Sequence, residues 1–327
     1  MAAPLVDGFG RAFEYLRLSV DEACNFRCVY CLPNGYERRE QEPPLSVEEI
    51  RRLAGAFAAM GFWKVRLTGG EPTLRRDLVA IASAVASTPG VRRVTLSTNG
   101  FRLAELAAPL REAGVRGVNV SVDSLDPERF RRITGHDRLP SVLAGIGRCL
   151  ALGFDGVKVN MVLLRGMNDD ELGGFLDWTR ETPVSVRFIE LMQTAGSGEF
   201  FARRHLPASN LVAELLAEGW REAPRSPGDG PARRFSKEGH RGEVGVIAPY
   251  ASDFCATCNR LRVTSRGRLR LCLFAEEGLP LRELLQSDDQ ALALQERVRA
   301  LLGRKEVSHY LPEGRFGDVR HLAMMGG

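Results

Sequence analysis

Along the first 192 residues, short apolar or alternating runs recur between segments of helical spacing. The runs are "EYLRLSV", "WKVRLTG", "RRVTLSTNG", "GVNVSVD", "GVKVNMVLL" and "VSVRFIEL". The spacing between them predicts helices over residues 46 to 59, 75 to 87, 103 to 113, 127 to 152 and 169 to 180. Six strand–helix units in succession argue for parallel strands in a sheet or barrel, because a parallel partner needs a crossover to reach its place. Ser46 followed by Glu49 predicts a capping box, Asn168 with Asp169 and Asp170 predicts the start of the helix at "ELGGFLDW", and Asp126 with Pro127 predicts another start. After about residue 192 the rhythm stops. The segment 221 to 243 is rich in Pro, Gly and charge and reads as a mobile connection or excursion, with short strands expected around the cysteines that follow.

That alternation says where a site should lie. Parallel α/β architectures bind ligands beyond the carboxyl ends of their strands. "CNFRCVYC" follows the first predicted strand, "GGEP" the second, "STNG" ends the third and "SVDS" the fourth; Lys158 lies in the fifth, and Glu190 with Met192 closes the sixth. Singly, "GGEP" and "STNG" are turn chemistry and "SVDS" a helix cap. Together they fall on one face and mark a candidate site.

Composition narrows the class. With 327 residues and 44% apolar content the chain can bury one large domain plus an appendage. No apolar run approaches the roughly 18 residues of a bilayer span, and "MAAPLVDGFG" has no secretory apolar region, so the expected compartment is the cytoplasm, with no membrane partner. In a reducing compartment the seven cysteines point to metal ligation or free thiols. A net charge of +4 does not mark a nucleic-acid-binding surface. Of the 45 basic residues only Lys64, Lys158, Lys237 and Lys305 are lysines, so a lysine beside a motif points to a place for a compact ammonium.

Cys24, Cys28 and Cys31 are spaced as Cys-x3-Cys-x2-Cys with no fourth ligand beside them. A structural zinc site wants four ligands, and no histidine completes one locally. Three thiols on a four-iron cubane leave one iron without a protein ligand. This triad after a first strand resembles the signature of the radical S-adenosylmethionine superfamily, in which the amino and carboxylate groups of S-adenosylmethionine chelate the open iron. Cys255, Cys258 and Cys272 form a second triad, Cys-x2-Cys-x13-Cys, for which a second cluster is the economical reading and zinc the alternative. With "YLRLSV", "KVRLTGGEPTLRRD", "STNGFRL", "VNVSVDSLDPERF", "GVKVNMVLLRGMND", "VRFIELM" and the terminal "MMGG", this segment resembles the GTP 3',8-cyclase family from Tyr15 to Gly327.

The resemblance implies an α/β fold, an incomplete (βα)6 TIM-type barrel whose open side is covered by a C-terminal region. Residues 1–220 would form the barrel with the first cluster, and 221–327 the region with the second cluster and a Gly-Gly tail. It implies two 4Fe–4S clusters and S-adenosylmethionine as cofactors, and cyclisation of GTP to (8S)-3',8-cyclo-7,8-dihydroguanosine 5'-triphosphate, the first step of molybdenum cofactor biosynthesis. Cys24, Cys28 and Cys31 would hold one cluster and Cys255, Cys258 and Cys272 the other; Tyr30, Gly70, Ser121 and Met192 match S-adenosylmethionine contacts. Arg17, Lys64, Arg66, Ser97, Lys158, Arg260, Leu261 and Arg262 match nucleotide-binding positions, with Arg17, Gly326 and Gly327 implied in catalysis. Guanidinium forks with a few ammonium groups suit a triphosphate. The implied partners are a reductant such as flavodoxin or ferredoxin and, for the product, cyclic pyranopterin monophosphate synthase; a homodimer is compatible.

Two departures stand out. Asp21, Glu22 and Ala23 occupy the places where the family reads Thr-Asp-Arg, which removes an arginine near the first triad, and Ser97 replaces a threonine while keeping a hydroxyl. Other runner-up readings are another radical enzyme with an auxiliary cluster, such as a peptide maturase, and a non-catalytic zinc-binding scaffold. Cys149, among apolar neighbours on a helix, reads as a buried core thiol, and His136, His205, His240, His309 and His321 as scattered and unpaired.

Overall fold

The computed structural model describes residues 4–37, 42–226, 228–275, 278–319 and 322–325. Its main sheet is built from β1 (Tyr15–Asp21), β2 (Lys64–Gly69), β3 (Arg93–Thr98), β4 (Val115–Ser121), β5 (Gly156–Leu163), β6 (Ser185–Glu190), β7 (Arg221–Ala223), β8 (Arg233–Ser236), β9 (Glu243–Ile247), β10 (Arg260–Val263), β11 (Arg268–Arg270) and β12 (Leu279–Pro280). The helices are α1 (Val47–Ala59), α2 (Leu78–Ala86), α3 (Leu103–Glu112), α4 (Pro127–Thr134), α5 (Leu139–Ala151), α6 (Leu172–Glu181), α7 (Gly198–Arg204), α8 (Ala208–Ala217) and α9 (Ala291–Leu302).

Strands β1 to β6 pair in chain order, each parallel to the next. The C-terminal region extends this partial barrel at both edges: β9 adds parallel to β6, and β10 adds parallel to β1. Antiparallel β8 and β7 continue one side and β11 and β12 the other, leaving the barrel open among the described residues.

Alternation sorts the side chains. Leu16, Leu18, Val65, Leu67, Leu96, Val118, Val157, Val159 and Val186 are buried against the helix layer. Fully burying each such side chain contributes about 1.5–3 kcal/mol. The residues between them, Arg17, Arg66, Asn119, Lys158 and Arg187, point into the barrel, so its interior is polar and basic.

The expected capping box on α1 forms: Ser46 Oγ accepts from Glu49 N at 3.2 Å and Glu49 Oε2 accepts from Ser46 N at 2.7 Å. Asp126 caps α4 by accepting from Arg129 N at 2.8 Å. The single helix expected over 127–152 is instead two, because Gly135 takes the left-handed conformation (φ 77°) and closes α4. Asn168 does not cap α6. Its carboxamide accepts from Leu164 N at 2.8 Å and donates to Asp123 O at 2.7 Å and Val162 O at 2.9 Å, bracing the end of β5 to the loop after β4. The segment 221–243 is not merely an excursion: it contains β7 and β8, held by the buried Phe235 and by Arg233 on Glu222 at 2.7 Å. Helices α7, α8 and α9 lie beyond the point where the sequence rhythm was lost.

The "GGEP" and "STNG" motifs are joined by one carboxylate. Glu71, fully buried, accepts from Thr73 N at 3.0 Å, Thr98 Oγ1 at 2.7 Å and Asn99 N at 2.6 Å. Glu71→Ala should therefore destabilise the fold by at least ~3 kcal/mol, since each orphaned buried donor costs about 1–3 kcal/mol. Urea unfolding under reducing conditions measures this; a loss under ~1 kcal/mol would show that the carboxylate does not tie the two loops.

Candidate active site

The loop after β1 carries the first triad, and every motif at the strand ends helps hold it. Asp21 turns the chain by accepting from the amides of Glu22 at 2.7 Å and Ala23 at 3.0 Å. Arg27 N and Val29 N donate to Thr134 O and Ile133 O, both at 2.9 Å, clamping the loop to the end of α4. Phe26 is buried and stacks on His136 at 4.9 Å. From "STNG", Asn99 Nδ2 donates to Asn25 Oδ1 at 2.8 Å and reaches Cys24 Sγ at 4.0 Å. From "SVDS", Asp123 accepts the Tyr30 hydroxyl at 2.8 Å and Val162 N at 2.9 Å. Gly70 lies so close that a Cβ there would sit 2.3 Å from Ala23 O and 2.4 Å from Glu22 O.

The first thiols sit in a setting that opposes their ionisation. Burial pushes Cys24 to about 11 and Cys31 to about 12, and Cys28 well above its ordinary value. Glu71 adds to the effect at Cys24, and Asp123 at Cys28 and Cys31. The backbone amides of Leu322 and Ala323 act the other way on Cys31, which brings the chain's tail to this loop. Gly326 and Gly327 lie outside the described residues. Next to Ala23, Arg266, from the turn between β10 and β11, pairs with Glu22 at 2.9 Å.

The second triad faces the barrel. Cys255 and Cys258 share a turn before β10, Cys258 N donating to Cys255 O at 3.2 Å, and Cys272 follows β11. These three thiols line one cavity with Arg17, Lys64, Arg66, Lys158, Arg187, Arg260, Arg262 and Met192. Here the field favours thiolate at Cys258, while burial raises Cys255. Burial opposes it, yet Arg260, Lys305 and Arg262 bring Cys258 down to about 6. Among the described residues no three Cys, His, Asp or Glu side chains gather closely enough for a single metal ion. A cubane asks less, because each thiolate ligates a different iron.

Register explains how the cations meet. Arg262, Arg17 and Arg66 occupy one row across β10, β1 and β2, and Asn119, Lys158 and Ser185 another across β4, β5 and β6. Burial, then Arg187, Arg66 and Lys64, depress Lys158 to about 6; burial, then Arg260, depress Arg262 to about 10. The Nε atoms of Arg260 and Arg262 are buried with no hydrogen-bond partner, as is Ser97 Oγ. Buried cations this crowded are costly without a counter-ion, so the cavity fits a polyanion.

Not every expected residue reaches the cavity. The Leu261 side chain is fully buried on the helix side, so only its backbone can serve. Ser97 and Ser121 sit at the strand ends outside the cavity lining, while Met192 lines it and, like Cys31 and Cys272, packs against the apolar cluster around Leu273 and Phe274. All four described histidines are partnered, contrary to expectation: His136 Nε2 meets Asn25 O at 2.7 Å, His205 Nε2 meets Glu190 Oε1 at 2.7 Å, His240 Nδ1 meets Thr179 Oγ1 at 2.8 Å, and His309, in the cavity wall, contacts Pro249 O at 2.9 Å. His321 lies outside the described residues. Cys149 is buried in the core, as expected. Arg187 was missed. Its signal was the inward period of "VSVRFIEL", and Gly245 opposite it, where a Cβ would sit 2.5 Å from Arg187 Cδ, leaves it room.

Comparison with known proteins decides the family. Residues 18–179 match the Radical SAM superfamily and residues 184–311 match Molybdenum Cofactor Synthesis C. The GTP 3',8-cyclase of Stenotrophomonas maltophilia (strain R551-3) is 54% identical over 323 residues, covering 99% of both chains. This chain belongs to the GTP 3',8-cyclase family. The Aeromonas hydrophila member is 51% identical over 330 residues, with 99% of this chain and 96% of that one covered. Among solved structures, Streptococcus suis SuiB bound to S-adenosylmethionine matches at a TM-score of 0.62 and 12% identity, covering 88% of this chain and 68% of that one, a likeness of fold. Family membership makes the protein a radical S-adenosylmethionine enzyme with iron–sulfur clusters.

The tight approach of Gly70 to the cysteine loop gives a direct test. Gly70→Ala should cost about 1–3 kcal/mol, as overpacking does. The strain falls on Glu22 and Ala23, so iron retention at the first triad should drop while that at the second holds, as read by iron analysis and electron paramagnetic resonance. Equal loss at both triads would place the strain elsewhere.

Proposed function

We propose that this chain cyclises GTP to (8S)-3',8-cyclo-7,8-dihydroguanosine 5'-triphosphate, the first committed chemistry of molybdenum cofactor biosynthesis. One observation carries the reading: a cysteine triad with one ligand too few opens onto the same cavity as a crowd of buried cations. Relatives named for this activity, identical at half or more of their positions over nearly the whole chain, support it.

In this reading Cys24, Cys28 and Cys31 hold the first 4Fe–4S cluster, and Tyr30, Gly70, Ser121 and Met192 contact S-adenosylmethionine. When bound there, that cofactor supplies the 5'-deoxyadenosyl radical that removes the ribose 3' hydrogen of GTP. Cys255, Cys258 and Cys272 hold the second cluster, whose iron without a protein ligand is a place for the guanine base. Arg17, Lys64, Arg66, Lys158, Arg260 and Arg262, joined by Arg187, hold the triphosphate, with Ser97 and the backbone of Leu261 completing the nucleotide contacts. The inward cations fix the nucleotide at several oxygens, and the surrounding strands exclude water from the reacting ribose. Arg17 and the tail glycines Gly326 and Gly327 serve the reacting end of the site. A reductant such as flavodoxin or ferredoxin supplies electrons, the product passes to cyclic pyranopterin monophosphate synthase, and the setting is cytoplasmic. A homodimer is compatible. Among the described residues no helix is long and apolar enough to cross a membrane.

Anaerobic reconstitution with iron and sulfide should load about eight irons per chain, four per cubane. 5'-Deoxyadenosine should then form with the cyclised nucleotide when GTP is added. Saturation near four irons with one zinc, or deoxyadenosine formation indifferent to GTP, would sink the proposal.

Lys158 makes the binding pH-dependent. In the free protein its depressed value of about 6 leaves it largely neutral at pH 7 to 8. A bound triphosphate favours the ammonium and raises that value, so binding takes up a proton and affinity falls as pH rises above 6. With one proton fully coupled the loss is up to about tenfold per pH unit. Calorimetry in buffers of different ionisation heat should show proton uptake, absent in Lys158→Met; equal uptake in both would remove Lys158 from the phosphate site. Arg66→Ala should weaken GTP binding by about 1.5–3 kcal/mol without loss of iron.

A further inference from the structure

Two of the chain's four lysines, Lys64 and Lys158, line the nucleotide cavity, and Lys237 lies over the Trp220 ring. Lys305 does neither. It is 6% exposed, just past α9, and its ammonium donates to the carbonyl of Leu271, the residue before Cys272. Phe13 covers it, the ring centroid 5.4 Å from Nζ. Burial pulls its pKa below the ordinary value, and the groups that act to keep it charged are Cys258 and Cys272, against Arg11 and Arg262.

The neighbouring cations are otherwise engaged. Arg11 is paired with Asp7 at 2.7 Å and donates to Val307 O at 2.8 Å, Glu306 O at 2.7 Å and, more weakly, Cys255 O at 3.3 Å, so Asp7 already answers its charge. Arg260, which acts on Cys258 more strongly than Lys305 does, and Arg262 both face the cavity, where a triphosphate would answer their charge. That leaves Lys305 buried behind the second triad with a carbonyl as its hydrogen-bond partner, an arrangement that is costly unless an anion sits beside it. Three thiolates on a 4Fe–4S core carry net negative charge, which grows by one on reduction, and net charge is among the factors that set a cluster's potential.

We propose that Lys305 is the fixed countercharge of the second cluster and raises its reduction potential, leaving the cavity arginines to the triphosphate. The assignment rests on Cys255, Cys258 and Cys272 holding a cluster. Lys305 touches no substrate in this scheme. It is a positioning residue that acts through the cluster's field.

The test is a redox titration followed by electron paramagnetic resonance on full-length protein with both clusters loaded, S-adenosylmethionine being added to mark the first cluster's signal. Lys305→Gln should lower the second midpoint by at least a tenfold shift in the reduction equilibrium, about 59 mV for one electron, while Lys305→Arg stays near wild type. An unshifted midpoint in Lys305→Gln overturns the proposal. If Lys305→Gln loses the second signal and about four irons, retention of both in Lys305→Arg supports the charge role, and loss in both variants overturns it in favour of packing. Wild-type protein that saturates near four irons overturns the second-cluster reading, and this assignment with it.

Discussion

Mutual repulsion among buried cations is the constraint around which the barrel is arranged. Arg17, Arg66, Lys158, Arg187, Arg260 and Arg262 project inward from five strands, and burial together with the neighbouring cations lowers the proton affinity of Arg17, Lys158, Arg187 and Arg262. Such a cluster survives in a fold only if the rest supplies more than it costs, and the outward faces of the same strands do so with unbroken Leu and Val packing against the helices. The interior is thus kept from collapsing on itself by its own charge. The same charge prepares it for a polyanion, since the binding groups need not be desolvated or gathered when the nucleotide arrives.

The two triads live in opposite fields. The first is walled by Glu71 and Asp123, and its thiols are pushed up; the second is walled by Arg260, Arg262 and Lys305, and Cys258 is pulled down. An acidic surrounding makes a cluster harder to reduce and a basic one makes it easier. The asymmetry suits a division in which the first site delivers a strongly reducing electron and the second sits among charges that also answer to the substrate. Met192, Cys31 and Cys272 pack against the same small apolar cluster, which therefore touches both fields.

Much of this was legible in the sequence because it is written in local terms. Six inward-facing strands announce themselves by alternation, and a ligand triad by spacing. The long helix expected over 127–152 failed at Gly135, where one residue of positive φ outweighs a continuous amphipathic pattern. Strands β7 and β8 were hidden because they are short, sit among Pro and Gly, and are completed only by pairing with the edge of β9. Arg187 was passed over for a similar reason: the period of "VSVRFIEL" gives its direction, but its register beside Asn160 and the space left by Gly245 are tertiary. Pairing of His205 with Glu190 is likewise a tertiary fact.

Sheet order carries a last consequence. Arg260 and Arg262 reach the cavity because β10 pairs with β1, the two partners lying some 245 residues apart in the chain, with Arg260 opposite Tyr15. The row Arg262, Arg17, Arg66 therefore does not exist until the C-terminal region has docked on the far edge of the barrel. That docking also brings Arg282 to Glu49 at 2.8 Å and Arg266 to Glu22 at 2.9 Å, so the loop of the first triad and the cap of α1 are fastened by the same region that carries the second triad. The anion site, the second triad and the bracing of the first triad are consequently completed by one long-range closure. A partial barrel left without that region would lack one of the row's three arginines, Arg260 as well, and one brace of the cysteine loop, so what looks like an appendage in the sequence is the part that turns an open sheet into a site.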